Sequence, residues 1–267
     1  MVLSQELEWR PTEDLLTISK NVRASHPKVQ AQGGRGKYVS RKQRLEMFDR
    51  IVAWAPEQNI RLQTDYLQWQ VDAQKITGNQ PVQVEHYRDR LLLEQVNANQ
   101  LTYSLDQQTV QLQDKVQFQS AKPPITFTSG SARWQVQQQL ITAADSLKII
   151  HKQEQATFTA NNGAIDLSKN VATLTGNAQG LATRNQAKLR ADRLTWQINN
   201  QQIVGTGNVR YQQKEPTLIL TGVKGVGKLQ DQSVVVTGNN QQLVETQIIP
   251  TDTTESPTNS PWPVLIE

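Results

Sequence analysis

The chain contains no cysteine and only two methionines. A disulfide framework and a thiolate metal site are therefore excluded, and the redox compartment is left unmarked. No apolar run approaches the ~20 residues that cross a bilayer as a helix. The start, Met1-Val2-Leu3-Ser4-Gln5-Glu6, has neither a basic region nor an apolar stretch, so it does not read as a signal peptide. Apolar residues are also scarce: 36% of 267, with a mean hydropathy of -0.59. That is low for a compact globule of this length but too high for general disorder. An elongated array, in which each unit buries one face and wets the other, fits the balance.

What is present is a repeat. Large apolar residues recur about thirty positions apart at Trp9, Tyr38, Trp69, Tyr103, Trp134, Leu167, Trp196 and Leu229. Seven positions after each stands another apolar residue: Leu16, Leu45, Ile76, Val110, Ile141, Leu174, Ile203 and Val236. The plus-thirteen positions are Val22, Ile51, Val82, Val116, Leu147, Gly180, Val209 and Gln242, so the pattern weakens in the sixth and eighth copies. A fixed period of twenty to fifty residues marks a stacked array, which binds along a surface rather than at a point.

Within a copy the period is two. Leu194, Trp196 and Ile198 alternate with polar neighbours, then Asn199-Asn200-Gln201-Gln202 supplies a turn, and Ile203, Gly205, Val209 and Tyr211 return. Gly205 and Gly207 mark where the returning strand bends or bulges. Gln is over-used beside apolar residues, as in Leu67-Gln68-Trp69-Gln70-Val71, which sends amides to one strand face and apolar groups to the other. Each copy is therefore a β-hairpin, and eight hairpins predict about sixteen strands in an all-β chain. The best helix candidate, 39–54, also reads as strands. Residues 1–247 form one elongated domain, and the Pro/Thr/Ser-rich 248–267 reads as a flexible tail.

Charge and chemistry exclude more than they propose. The net charge of +4 is spread along the chain; its densest run, Arg35, Lys37, Arg41, Lys42 and Arg44, reads as a solvated strand and turn, with an anionic partner as the alternative. No nucleic-acid motif accompanies it. Gly222-Val223-Lys224-Gly225-Val226-Gly227-Lys228 has the spacing of a phosphate loop, but Leu229 stands where Ser or Thr would bind magnesium, and Ser233-Val234-Val235-Val236 reads as a strand where a helix is required. His26, His86 and His151 share no ligand spacing. Asp65 and Asp192 lie four repeats apart and read as strand-edge or turn groups. No catalytic centre, metal or cofactor is expected.

The phrases Ala191-Asp192-Arg193-Leu194-Thr195-Trp196, Ile203-Val204-Gly205-Thr206-Gly207-Asn208-Val209 and Leu16-Thr17-Ile18-Ser19-Lys20-Asn21-Val22 resemble the periplasmic lipopolysaccharide-transport family, the LptA/LptC (OstA-like) group. The resemblance covers the repeats from Trp9 to Gly238, and the length and the start just before Trp9 favour the LptC branch with its inner-membrane anchor outside this chain. It implies an open, twisted β-jellyroll of two facing sheets. It also implies periplasmic carriage of lipopolysaccharide, or a related glycolipid, from an inner-membrane ABC transporter complex toward the outer membrane. The expected lipid-lining residues are Trp69, Ile76, Tyr103, Val110, Val116, Phe118, Trp134, Ile141, Leu167, Leu174, Trp196, Ile203 and Val209. Unpaired end strands, around 9–22 and 229–238, are expected to add another β-jellyroll bridge protein end to end. A sealed β-solenoid stalk and a β-helical glycan enzyme are the rival readings.

Overall fold

The computed structural model describes residues 1–183, 186–214, 217–229 and 233–249. Through them the chain runs as an antiparallel meander of sixteen passes, each paired with the one before and the one after. Ten passes are continuous strands, such as Leu15–His26, Arg44–Ala55 and Ile60–Gln70; six are interrupted at their middle, as Lys75–Gly78 and Val82–Arg88 are. The expected sixteen strands are thus sixteen passes, divided into 22 strands in one sheet.

The continuous passes also bend at their middle, and on five of them the cause is local. On five returning passes two successive residues adopt a left-handed backbone: Lys20 and Asn21, Asp49 and Arg50, Asp114 and Lys115, Gly176 and Asn177, Gly207 and Asn208. Pairing skips at these places, between Ser19 and Val22 or between Thr206 and Val209. Such a bulge bends a strand sharply. Glycine suits Gly207 because its φ is +72° and a Cβ there would collide with the Asp192 carboxylate. Asp192 in turn accepts a hydrogen bond from Asn208 Nδ2 at 2.9 Å, and Asp65 accepts one from the Arg50 amide at 3.0 Å, so both carboxylates serve the bend.

Because every pass bends at its middle, its two halves join separate ladders. The first half of Ile60–Gln70 pairs with Val82–Arg88 and the second half with Lys75–Gly78. The sheet is thereby folded into two facing arms that meet along the line of bends. Inward residues on Ile60–Gln70 run Ile60, Leu62, Thr64, then Leu67 and Trp69. The change of parity at the bend keeps an apolar face inward on both arms. One hydrophobic core fills the space between the arms, from Ile18 and Val22 to Val209 and Tyr211.

The turns at the end of the first arm repeat with the hairpins. Five residues after six of the leading positions the chain is left-handed, at Asp14, Gln43, Gln74, Gln108, Gln139 and Gln201, and in the sixth copy it is left-handed at Asn170, three residues after Leu167. Leading and plus-seven residues are direct partners in Trp9–Leu16, Tyr38–Leu45, Trp69–Ile76, Tyr103–Val110, Trp134–Ile141 and Trp196–Ile203. Copies six and eight require correction by two residues. Their pairs are Ile165–Ala172 and Gly227–Val234, whereas Leu167 sits in the turn and Leu174 pairs with Gly163 and Leu194. With this register the sixth copy is no longer weak, since Ala172, Leu174 and Ala178 are all wholly buried. The 39–54 segment forms strand, a short turn at Ser40–Lys42, and strand. The glycine-rich run lies within the single strand Thr217–Lys228 and is followed by strand Ser233–Thr237. The last strand, Glu245–Ile249, passes the expected tail boundary by two residues; 250–267 lie outside the described residues.

Candidate functional site

The free ends of the two arms face each other across a seam that runs the length of the molecule. On the first arm, cross-strand pairing lines up Trp9, Leu16, Tyr38, Leu45, Trp69, Ile76, Tyr103, Val110, Trp134, Ile141, Ile165, Ala172, Trp196, Ile203, Gly227 and Val234 in one unbroken row. The row is apolar at every step. On the second arm the corresponding row is Ala55, Ile60, His86, Glu94, Ser120, Ile125, His151, Ala156, Ala182 and Ala187. This lip carries ionisable and hydroxyl groups in its middle: Glu94, Ser120 and His151 are each less than a tenth exposed.

The three histidines, unrelated in sequence, share one role here. Each meets a tryptophan of the opposite lip edge-on: His26 with Trp69 at 5.3 Å between ring centres, His86 with Trp134 at 5.9 Å, and His151 with Trp196 at 5.5 Å. In each case the tryptophan lies three passes further along the chain, an offset that twisted sheets packed face to face produce. Such ring pairs contribute about 0.5–1.5 kcal/mol each beyond burial. Two turn contacts cross with the same offset, Lys28 Nζ donating to Gln74 Oε1 at 3.0 Å and Gln201 Nε2 to Glu154 Oε1 at 2.6 Å. The available signal in the sequence was distance: each histidine stands about one and a half periods before its tryptophan.

The local chemistry of the histidines differs. His26 Nδ1 accepts from the Lys28 amide and His151 Nδ1 from the Glu154 amide, both at 3.2 Å, so each neutral ring carries its proton on Nε2. His86 Nδ1 lies 2.6 Å from Glu94 Oε2. Beside it, Glu85 accepts from Tyr87 Oη at 2.8 Å and pairs with Arg61 at 3.3 Å. Burial holds the His151 pKa below its ordinary value, with Glu154 opposing. On the apolar lip, burial first and the charge of Glu57 second push the Tyr103 phenol up to about 12. Glu57 belongs to the second arm's turn Pro56–Gln58, another sign that the lips are closed on each other.

All thirteen expected lining residues lie in the interior core. Trp69, Ile76, Tyr103, Val110, Val116, Phe118, Trp134, Ile141, Leu167, Leu174, Trp196, Ile203 and Val209 are each no more than 8% exposed. They line a packed interior rather than an open trough. Two apolar cavities between the arms measure about 60 and 20 Å³, below the roughly 150 Å³ that admits benzene. The larger adjoins Phe158, Ile203, Tyr211 and Gly227, where the eighth rung is glycine instead of an aromatic. The basic run is used on the surface: Arg35 pairs with Asp49, Arg44 with Glu46 and Arg41 with Asp14. Among the described residues no cluster of His, Asp and Glu could hold a metal, and no helix is long and apolar enough to cross a membrane.

Residues 13–121 match the family model described as lipopolysaccharide-assembly, LptC-related. The chain carries an LptC-related segment. It runs from the first short turn, Pro11–Glu13, to the end of strand Thr109–Ser120, and so takes in nearly four hairpins. The later hairpins repeat the same construction beyond the LptC-related segment and share its core. No curated protein matches the chain. Among solved structures, a loose similarity is found to LptH, the LptA homologous periplasmic component of the conserved lipopolysaccharide transport device from Pseudomonas aeruginosa. The two are 12% identical over 54% of this chain and 80% of that one, with a TM-score of 0.24.

Proposed function

We propose that this protein is a periplasmic component of lipopolysaccharide transport whose interior carries acyl chains from an inner-membrane ABC transporter complex toward the outer membrane. The observation that supports it most is the uninterrupted apolar row of the first lip, which runs through the LptC-related segment and on through every later hairpin. Each methylene moved from water to such a surface gains about 0.8 kcal/mol, so a chain of a dozen carbons gains on the order of 10 kcal/mol. Successive rungs differ little, so a bound chain can step from one to the next. Transport of this kind needs no catalytic group in the carrier.

The end passes supply the second element. The first pass bonds to its neighbour on one side only, and Leu3, Leu7 and Trp9 are exposed on it. Among the described residues the last pass is likewise paired on one side, with Val235 and Ile248 exposed. Open edges of this kind add strands of similar partners, which would extend the apolar row into another β-jellyroll.

The packed interior favours a second reading, a structural β-solenoid stalk with a dry core. Photocrosslinking separates the two. A photoreactive residue placed at Tyr103 or Trp134, in cells making labelled glycolipid, is expected to form lipid adducts. Their absence at both positions and at neighbouring inward sites would leave the stalk.

A further inference from the structure

We propose that the hairpin tip at residues 87–93 docks on the surface of an anionic phospholipid membrane and holds the chain against it side-on. The proposal goes beyond the lipid-path reading and uses neither the interior nor the end strands.

The tip is the place where the repeat is broken. On the second lip the connections beside it are four residues long, 56–59 between Ala55 and Ile60 and 121–124 between Ser120 and Ile125. Between His86 and Glu94 there are seven, 87–93. Two further strand pairs, Tyr87 with Leu92 and Arg88 with Leu91, carry this hairpin past the lip. Asp89 and Arg90 close it with left-handed backbones, φ 52° and 65°, the tight turn that matches the twist of a hairpin. Its base is tied down on both sides. The Tyr87 amide donates to the Asn59 carbonyl at 3.0 Å, and the Ala121 amide to the Leu93 carbonyl at 2.8 Å.

The tip carries what an interfacial anchor requires. Leu91 is 64% exposed and Leu92 41%. Away from the first pass and residues 233–249, Leu181 is the one other large apolar side chain so exposed among the described residues. Adjacent exposed leucines on an otherwise polar surface mark a place of interaction. Arg88 and Arg90 flank them, and among the described residues neither forms an ion pair. Lys122 stands in the next connection, so Arg88, Arg90 and Lys122 face a single anion, Asp89. At the base Tyr87 packs on Trp54, with ring centres 6.3 Å apart and both rings half-buried. Tyrosine and tryptophan settle at the level of lipid headgroups, while arginine reaches phosphate from an apolar stem.

Size and charge favour a membrane over a protein. A stable protein interface needs about 800 Å² from each partner. A tip two strand pairs long offers little area, but insertion into a bilayer needs no complementary surface.

The test is sedimentation of the whole chain with sucrose-loaded vesicles of phosphatidylglycerol and phosphatidylcholine. Leu91→Ser with Leu92→Ser is expected to lower partitioning at least tenfold, and Arg88→Gln or Arg90→Gln about fivefold each. All four side chains are exposed, so the variants should unfold thermally as the unmodified chain does. No sedimentation of the unmodified chain, or equal sedimentation of the leucine variant, would overturn the proposal. The absence of cysteine allows a second reading. A polarity-sensitive dye on Leu91→Cys is expected to shift to the blue with these vesicles, while one on Gln138→Cys, in a turn of the other lip, should not. A shift at both positions, or none at Leu91→Cys, would overturn it. So would protein adducts from a photoreactive residue at Leu92 in cells, if the purified chain ignores vesicles; the tip would then dock a protein. Lipid adducts at Tyr103 and Trp134 are read separately, so either reading can fail while the other stands.

Discussion

The two lips come from opposite ends of the same strands, yet one is a pure apolar row and the other carries His86, Glu94, Ser120 and His151 in its middle. Glu94, Ser120 and His151 on one lip are as buried as Trp69, Trp134 and Trp196 on the other, so burial alone does not explain the difference. A buried carboxylate and two imidazoles cost desolvation that leucines would avoid. The comparison teaches that the aromatic lip supplies cohesion and the polar lip limits it. A structure closed by two apolar lips would be harder to part.

The largest test of that contrast is Trp134→Ala, which removes a side chain 2% exposed from the cohesive lip. A loss of about 3–5 kcal/mol is expected in denaturant unfolding; a loss below 1 kcal/mol would show that this lip does not hold the arms together. Glu94→Ala on the polar lip takes away the partner of His86. It should cost about 1–3 kcal/mol, and Glu94→Gln, which keeps an acceptor, should cost less.

A smaller effect comes from pH. Because burial lowers the His151 pKa, the unfolded chain binds this proton more tightly than the folded one. Stability from this group is therefore full above the ordinary histidine value near 6.5 and falls as pH drops through it, levelling off below the lowered folded value. Thermal unfolding between pH 8 and 5 measures this, and His151→Phe should flatten that part of the profile. A slope left unchanged by the substitution would remove His151 as its source. The smallest effect is expected at the end of the aromatic row. Trp9 is 47% exposed, and Trp9→Ala should change stability by no more than about 0.5 kcal/mol. If it matched Trp134→Ala, the first rung would be as cohesive as the middle ones.

Much of this was legible in the chain. The spacing of Trp69, Tyr103, Trp134 and Trp196 identified the hairpins and the inward face, and the plus-seven residues identified their partners. The sixth and eighth copies were misplaced, and always by two. A slip of two residues keeps the same face of a strand inward, so Leu167 satisfies the pattern as well as Ile165 does. Only the backbone bonds distinguish them. The left-handed pairs at the bends were visible only where glycine marks them, at Gly176 and Gly207, because Asp49-Arg50 or Asp114-Lys115 carry no such sign. The histidines were read one by one, since nothing local links a residue to a ring three passes away.

By itself, then, the sequence determined a repeated hairpin with one apolar face, because alternation and period are properties of neighbours along the chain. Whether those faces would line an open trough or close on each other was decided by tertiary structure. The bends set the angle between the arms and the twist sets the offset across the seam. Together they bring His26, His86 and His151 against Trp69, Trp134 and Trp196. Those contacts depend on geometry summed over many strands, which no window of the sequence contains.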